Sequence, residues 1–316
     1  MKRRKFIVLA SSAAAWPFAV NGQQTKVHRV GALLLANADA DALRRELREE
    51  LRKAGFVEAQ NLVFEFRSGE EALLPKLASE LVALKVDVLI AVYTPCAIAA
   101  QRATKDIPIV IMSGDPVGTG LVPNLGRPGG NITGVSLMAA ELFGKCVELI
   151  HDALPSVRRV AAIANGADPF SKPFLEHVQL AGKATGISII PIITGPDKVD
   201  EAFAALKKEN ADAVIVQGSL ASKRAAELAL SHGLPAVTVP RSFVDHGGLT
   251  SYGLDRPDSI RRCAMFVIKI LQGARPGDLP VEQPSKFELV INLRTAKALG
   301  IQVPPSFIAR ADEVIE

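Results

Sequence analysis

The sequence predicts an α/β protein made of two doubly wound, Rossmann-like lobes. Three observations predict it. Apolar strand-like runs alternate with amphipathic helical segments along most of the chain, which is the signature of parallel sheets covered by helices. One unit is especially clear: Val86–Tyr93 is rich in Val and Ile and reads as a buried strand, Cys96–Thr104 as a crossover helix, and Ile107–Met112 as a second buried strand. The alternation then pauses over a Gly- and Pro-rich stretch, Gly118–Gly134, and starts afresh. Two later stretches, Asp245–Gly248 and Gly273–Pro284, have the same character. A chain that crosses between lobes at each of these places would have three hinge crossovers around a ligand cleft.

The elements follow in order. Val27–Leu35 reads as a strand. Asp39–Ala54 is a helix in which Leu43, Leu47 and Leu51 form one apolar stripe, while its many charged residues make a solvated face. Gly55 ends it as a C-cap. Asn61–Arg67 alternates as a strand and Glu71–Leu84 is helical. Beyond the central unit, helices are expected at Ala139–Ala153, Pro169–Thr185, Val199–Glu209 and Ala221–His232. The strands between and after them are Val157–Ala164, Ile187–Ile193, Ala213–Val216 and Pro235–Val239. Gly248–Gly253 is short and extended and leads into a helix at Pro257–Leu271, and Phe287–Ile291 is a last strand before a helix through Leu299. These readings place lobe one at 27–135 plus 250–280 and lobe two at 136–249 plus 281–316.

The first residues carry a different message. Lys2, Arg3, Arg4 and Lys5 precede an apolar run, Phe6–Val20, and a polar Asn21-Gly22-Gln23-Gln24. That is the layout of a secretory signal peptide, here residues 1–22, and the run is short for a membrane span. Arg3-Arg4-Lys5-Phe6-Ile7 suits twin-arginine export, and a basic general-secretion signal fits as well. The expected location is the periplasm. The whole chain has 37 basic and 33 acidic residues; the leader holds four basic and no acidic ones, so the remainder balances at 33 of each. The basic pI therefore gives no support for nucleic-acid binding.

Enzyme chemistry finds little footing. The three cysteines, Cys96, Cys146 and Cys263, are far apart and read as apolar buried thiols. The five histidines lack metal-type spacing, and there is no G-x-S-x-G, G-x-G-x-x-G or Walker motif. No catalytic residue, metal or cofactor is expected.

Longer matches carry a resemblance. LASELVALKVDVLIA (Leu77–Ala91), IPIVIMSGDPVGTGLV (Ile107–Val122), LGRPGGNITGVS (Leu125–Ser136), GGLTSYG (Gly247–Gly253) and DLPVEQPSKFELVINLRTAKALG (Asp278–Gly300), with the tail IARADEVIE, stand in order along the chain. With them the chain resembles the exported substrate-binding proteins of ATP-binding-cassette importers, in the subgroup that includes tryptophan and tyrosine binders. The resemblance implies a type 1 periplasmic-binding fold and a monomer. It implies a small-molecule ligand, of a class such as an amino acid or aromatic acid, held between two lobes and delivered to an ABC permease in the inner membrane. A periplasmic ligand sensor acting on a signalling partner would use the same fold. The first loop, Ala36-Asn37-Ala38-Asp39, is shorter than the resemblance leads one to expect.

Ligands of such sheets bind beyond the carboxyl ends of the strands. Tyr93-Thr94-Pro95 and Ser113-Gly114-Asp115 should emerge there side by side. Thr94, at a helix start, suits an anionic group or serves as a cap alone. Ser113 adds a hydroxyl. Asp115 suits a ligand ammonium or is a turn residue before Pro116. Asn165, Asp168 and Gln217 should project from the strand ends of lobe two. Tyr93 and Tyr252 either stack on an apolar ligand or pack in the core or a hinge.

Overall fold

The computed structural model describes residues 26–36 and 40–316. The expected signal peptide, and Asn37 to Asp39 of the first loop, lie outside them. No helix among the described residues is long and apolar enough to cross a membrane.

The first lobe begins with β1 (His28–Leu35), α1 (Ala40–Lys53), β2 (Leu62–Gly69), α2 (Leu74–Ala83), β3 (Val88–Val92), α3 (Thr94–Ala103), β4 (Ile109–Ser113) and β5 (Ile132–Ser136). The chain then enters the second lobe with α4 (Ala139–Ala153), β6 (Arg159–Asn165), α5 (Ser171–Thr185), β7 (Ser188–Thr194) and α6 (Val199–Leu206). It continues through β8 (Ala213–Val216), α7 (Lys223–Ser231), β9 (Ala236–Thr238), α8 (Ser242–Asp245) and β10 (Thr250–Leu254). It returns to lobe one for α9 (Arg256–Leu271) and β11 (Val281–Glu282). It ends in lobe two with β12 (Phe287–Asn292), α10 (Leu293–Ala298), α11 (Pro305–Ile308) and β13 (Glu313–Ile315).

Among the described residues the strands form two sheets, ordered β11-β5-β4-β3-β1-β2 and β13-β12-β10-β9-β8-β6-β7. Every pairing is parallel except β10 with β12. The central strands β3 and β4 read VLIAV and IVIMS and are buried throughout, as expected for strands with helices on both faces. In α1, Leu43, Leu47 and Leu51 turn inward and the charged face stays outside, because four residues span about one helical turn. Gly134 is an obligatory glycine: φ is +136°, and a Cβ there would stand 2.2 Å from the Ile111 carbonyl oxygen across the sheet.

The crossovers differ from the expected hinges. The chain changes sheet between Ser136 and Ala139, between Leu254 and Arg256, and between Glu282 and Phe287. Gly118–Gly134 is no hinge, because its loop buries Leu121 and Val122 in the core of lobe one. Asp245–Gly248 closes a turn inside lobe two, where Gly248 sits against the Phe243 ring. The lobe boundaries shift accordingly. Thr250–Leu254, expected in lobe one, pairs with β9 and β12 in lobe two. Val281–Glu282, expected in lobe two, pairs with β5. In both cases the short strand finds its hydrogen bonds in the sheet it is leaving, so the crossing is one strand later than the glycines suggest. α9 packs Ile260, Cys263, Phe266 and Val267 into lobe one, and its start is capped by the Asp255 carboxylate, which accepts from Asp258 N at 2.7 Å.

Candidate ligand cleft

The carboxyl ends of both sheets face each other across a cleft of about 520 Å³. Lobe one contributes Tyr93, Thr94, Met112, Gly114 and Leu137, and lobe two contributes Phe143, Asp168, Phe170, Ser219 and Val239. The walls combine aromatic and aliphatic surface with polar side chains such as Thr94, Asp168 and Ser219, which is the usual build of a small-molecule site.

Tyr93 is where β3 breaks into α3. Its φ is +72°, in the region that disfavours side chains with a Cβ, and the residue is held there by its N–H bond to Met112 O at 2.8 Å. Such strain, enforced by the surrounding sheet, is common at ligand sites. Thr94 follows as the first residue of α3, two residues before the expected start at Cys96. Its hydroxyl is buried and stands 3.0 Å from the Ser113 hydroxyl. Thr94 lines the cleft, while Ser113 lies directly behind it.

Asp168 is the polar centre on the lobe-two side. It is buried, and its two oxygens accept from Phe170 N at 2.9 Å and from the Gln217 amide at 2.8 Å. The Gln217 carbonyl accepts in turn from Asn165 N at 2.9 Å and from the Ser171 hydroxyl at 3.0 Å. Gln217 and Asn165 are thus brought to the site but hold Asp168 from behind. Burial pushes the Asp168 carboxyl above its ordinary range, against hydrogen bonds from Phe170, Ser219 and Gln217 that favour the ionised form.

Glu71, missed in the sequence, joins this group. Its Oε1 accepts from Asn165 Nδ2 and so ties lobe one to lobe two. Burial, and then the negative charge of Asp168, push its carboxyl up. The available signal was its position directly after β2, a third strand end of lobe one at the binding edge. Ser219 and Phe170 also escaped notice, although each follows a strand end of lobe two by a few residues.

Two expected contacts fall elsewhere. Asp115 does not line the cleft; its carboxylate accepts from Gly118 N at 2.8 Å and shapes the turn after β4. Tyr252 points to the other face of β10, because alternate residues of a strand face opposite ways and Ser251 and Gly253 take the cleft side. Its ring stacks on Phe287, with centroids 5.8 Å apart, against the core of lobe two.

The wider mouth is charged but internally paired. Arg241 reaches Glu313 on β13 with two bonds of 2.6 Å and Glu288 with one of 3.1 Å. Arg256 pairs with Glu46 at 2.9 Å. All three cysteines are free and buried; burial pushes Cys146 and Cys263 up to about 12. No cluster able to hold a metal is present among the described residues.

The lobes touch. A Cβ on Gly114 of lobe one would come within 3.2 Å of the Phe170 ring and of Ala139 Cβ. With the Glu71–Asn165 bond, this is a closed arrangement.

Comparison with known proteins gives a consistent result. A profile of the family described as ABC transporter substrate binding protein matches residues 32–315. A tyrosine-binding protein of Clostridioides difficile is 28% identical over 280 residues, covering 85% of this chain and 79% of the relative. A domain from Streptococcus pneumoniae, solved in complex with L-Trp, is 26% identical with a TM-score of 0.85, covering 92% of this chain and all of that one. A ligand-free, open substrate-binding protein of Clostridium difficile with adhesive properties is 25% identical, with a TM-score of 0.65 over 92% of this chain and 99% of that one. At nearly equal identity and coverage, the chain superposes better on the Trp complex than on the open protein.

Proposed function

Since this chain belongs to the ABC transporter substrate-binding proteins and has the type 1 periplasmic-binding fold, we propose that it binds an aromatic amino acid between its lobes and delivers it to an ABC permease. The observation that carries the ligand reading is the pairing, in one cleft, of an apolar wall with a buried carboxylate. Phe143 and Phe170, 6.2 Å apart, and Tyr93 offer ring surface, and Asp168 offers an acceptor for an ammonium group. The relatives that bind tryptophan and tyrosine support the same class. Thr94, at the start of α3, is placed to receive the ligand carboxylate, where N–H groups and the helix dipole favour negative charge. The basic, apolar leader supports export to the periplasm.

The test is titration calorimetry of the purified protein against the common amino acids. L-Trp or L-Tyr should bind with micromolar or better affinity, and a ligand at 100 times its dissociation constant should stabilise the fold by about 2.7 kcal/mol. Binding only to ligands without an aromatic group would refute the ligand class. Loss of labelled amino-acid uptake on deletion of the gene would support import; unchanged uptake alongside proven binding would turn the reading toward ligand sensing.

A further inference from the structure

Glu71 belongs to the contact between the lobes rather than to the lining of the cleft. It opens a short 3-10 turn, Glu71–Leu73, just past the end of β2, and it reaches the other lobe through Asn165 Nδ2. Its second oxygen, Oε2, is buried with no hydrogen-bond partner. Asn165 N–H donates to the same Gln217 amide that donates to Asp168, so the partner of Glu71 and the Asp168 carboxylate belong to one network, and the Asp168 charge disfavours ionisation of Glu71. Cys96, buried near the start of α3, is affected by both carboxylates as well. The groups that bear on the two carboxyls are the Asn165, Gln217 and Ser219 side chains, the Phe170 N–H and the carboxyls themselves; no Lys, Arg or His is among them. Closing the lobes therefore brings two acids, one from each lobe, together at the lobe contact beside the cleft, where one Glu71 oxygen is buried and no cation among the described residues balances them. Like charges so placed cannot both ionise at low cost.

We propose that Glu71 makes lobe closure conditional on a positive charge in the ligand. A ligand ammonium beside Asp168 balances the pair and lets Glu71 seat on Asn165. A ligand with the same aromatic body but no cation leaves the two carboxylates unbalanced and holds the lobes apart. Glu71 is a positioning residue in this scheme: it reports the ligand's charge to the hinge and need not touch the ligand. The claim deepens the aromatic amino-acid reading and rests on it for the choice of probes.

The experiment compares L-tryptophan, tryptamine and indole-3-propionate by calorimetry and small-angle X-ray scattering, with the corresponding tyrosine series beside them. In wild-type protein the two amines should bind and compact the molecule. The deaminated acid should bind at least about tenfold more weakly than L-tryptophan, as expected for loss of one charge-assisted contact, and cause no compaction. Glu71→Gln keeps an acceptor for Asn165 and removes the charge. It should narrow the gap between tryptamine and indole-3-propionate and make the ligand-free protein more compact than wild type. Closure of wild-type protein by indole-3-propionate as complete as by L-tryptophan would overturn the proposal. So would a Glu71→Gln protein with unchanged ligand-free scattering. If none of the six compounds binds, the aromatic reading fails, and the ligand-free scattering comparison alone decides the role of Glu71.

Discussion

Gly114 offers the most direct control of closure. It lies at the end of β4 on lobe one, and the Phe170 ring of lobe two covers it so closely that a Cβ would meet ring carbons at 3.2 Å and Ala139 Cβ at 3.2 Å. Gly114→Ala asks those neighbours to give by a few tenths of an ångström, whereas Gly114→Val pushes two further methyl groups into the same space. Overpacking of this kind costs about 1–3 kcal/mol. In the open protein Phe170 leaves with its lobe, so most of that cost falls on the closed state alone. A ligand that binds the closed state then loses the same amount of affinity, roughly 5- to 150-fold. Calorimetry with L-Trp should show the weakened binding for Gly114→Val and a smaller effect for Gly114→Ala. X-ray scattering should show the valine variant staying extended in the presence of ligand, and its ligand-free melting temperature should stay close to wild type. A valine variant that closes and binds like wild type would show that Phe170 does not meet Gly114 in the liganded protein, and the closed arrangement described above would be wrong.

The remaining predictions concern the polar groups. Asp168→Asn should weaken amino-acid binding by about 1.5–3 kcal/mol, the range for a charge-assisted hydrogen bond; calorimetry with native affinity would remove Asp168 from the site. The same variant has a pH signature. Burial raises the Asp168 carboxyl in the folded protein, so the native state holds a proton that the unfolded chain releases, and the group's contribution to stability falls as pH rises from the ordinary carboxylate range to the raised one. The melting temperature of Asp168→Asn relative to wild type should therefore improve with pH across that window, and a flat difference would contradict the burial argument. Asp115→Ala should leave affinity unchanged and cost about 0.5–1.5 kcal/mol of stability, because its carboxylate serves the Gly118 N–H; urea titration measures the cost, and a loss of affinity would return Asp115 to the cleft. With a non-fluorescent ligand, Tyr93→Phe should abolish most of the ligand-induced change in tyrosine emission, while Tyr252→Phe should preserve it, since only Tyr93 borders the cleft.

Much of the fold is legible because its signals are local. Buried parallel strands announce themselves as Val- and Ile-rich runs, and α1 by a leucine every fourth residue. The crossovers are harder. Glycine and proline mark places where the chain turns, but whether a turn leaves a lobe depends on which sheet supplies the next hydrogen bonds. For Thr250–Leu254 that is decided by an antiparallel partner, β12, more than thirty residues later in the chain. Nothing in the local sequence of β10 announces it. The β13 strand and its anchor have the same difficulty: Glu313 matters because Arg241, 72 residues earlier in the chain, binds it.

The site divides along the same line. Thr94 and Asp168 are readable because each follows directly from a recognisable strand end, and the rule about carboxyl ends of strands needs no partner to apply. Asp115 satisfies the same rule and still misses the cleft, since the nearer Gly118 N–H satisfies its carboxylate first. Tyr252 fails by a single residue of strand register. Glu71 fails in the opposite direction: an acid among acids at a helix start has an ordinary local reading, and its significance comes from Asn165, 94 residues away in the other lobe. A cleft between two lobes is built from pairs of this kind. Residues that line the cleft from within one lobe can be read from strand ends, whereas a contact between lobes is defined only when the second lobe arrives. For that reason charge is the property to test at Glu71: its hydrogen bond could be made equally well by glutamine, and only the charge couples the lobe contact to what the ligand carries.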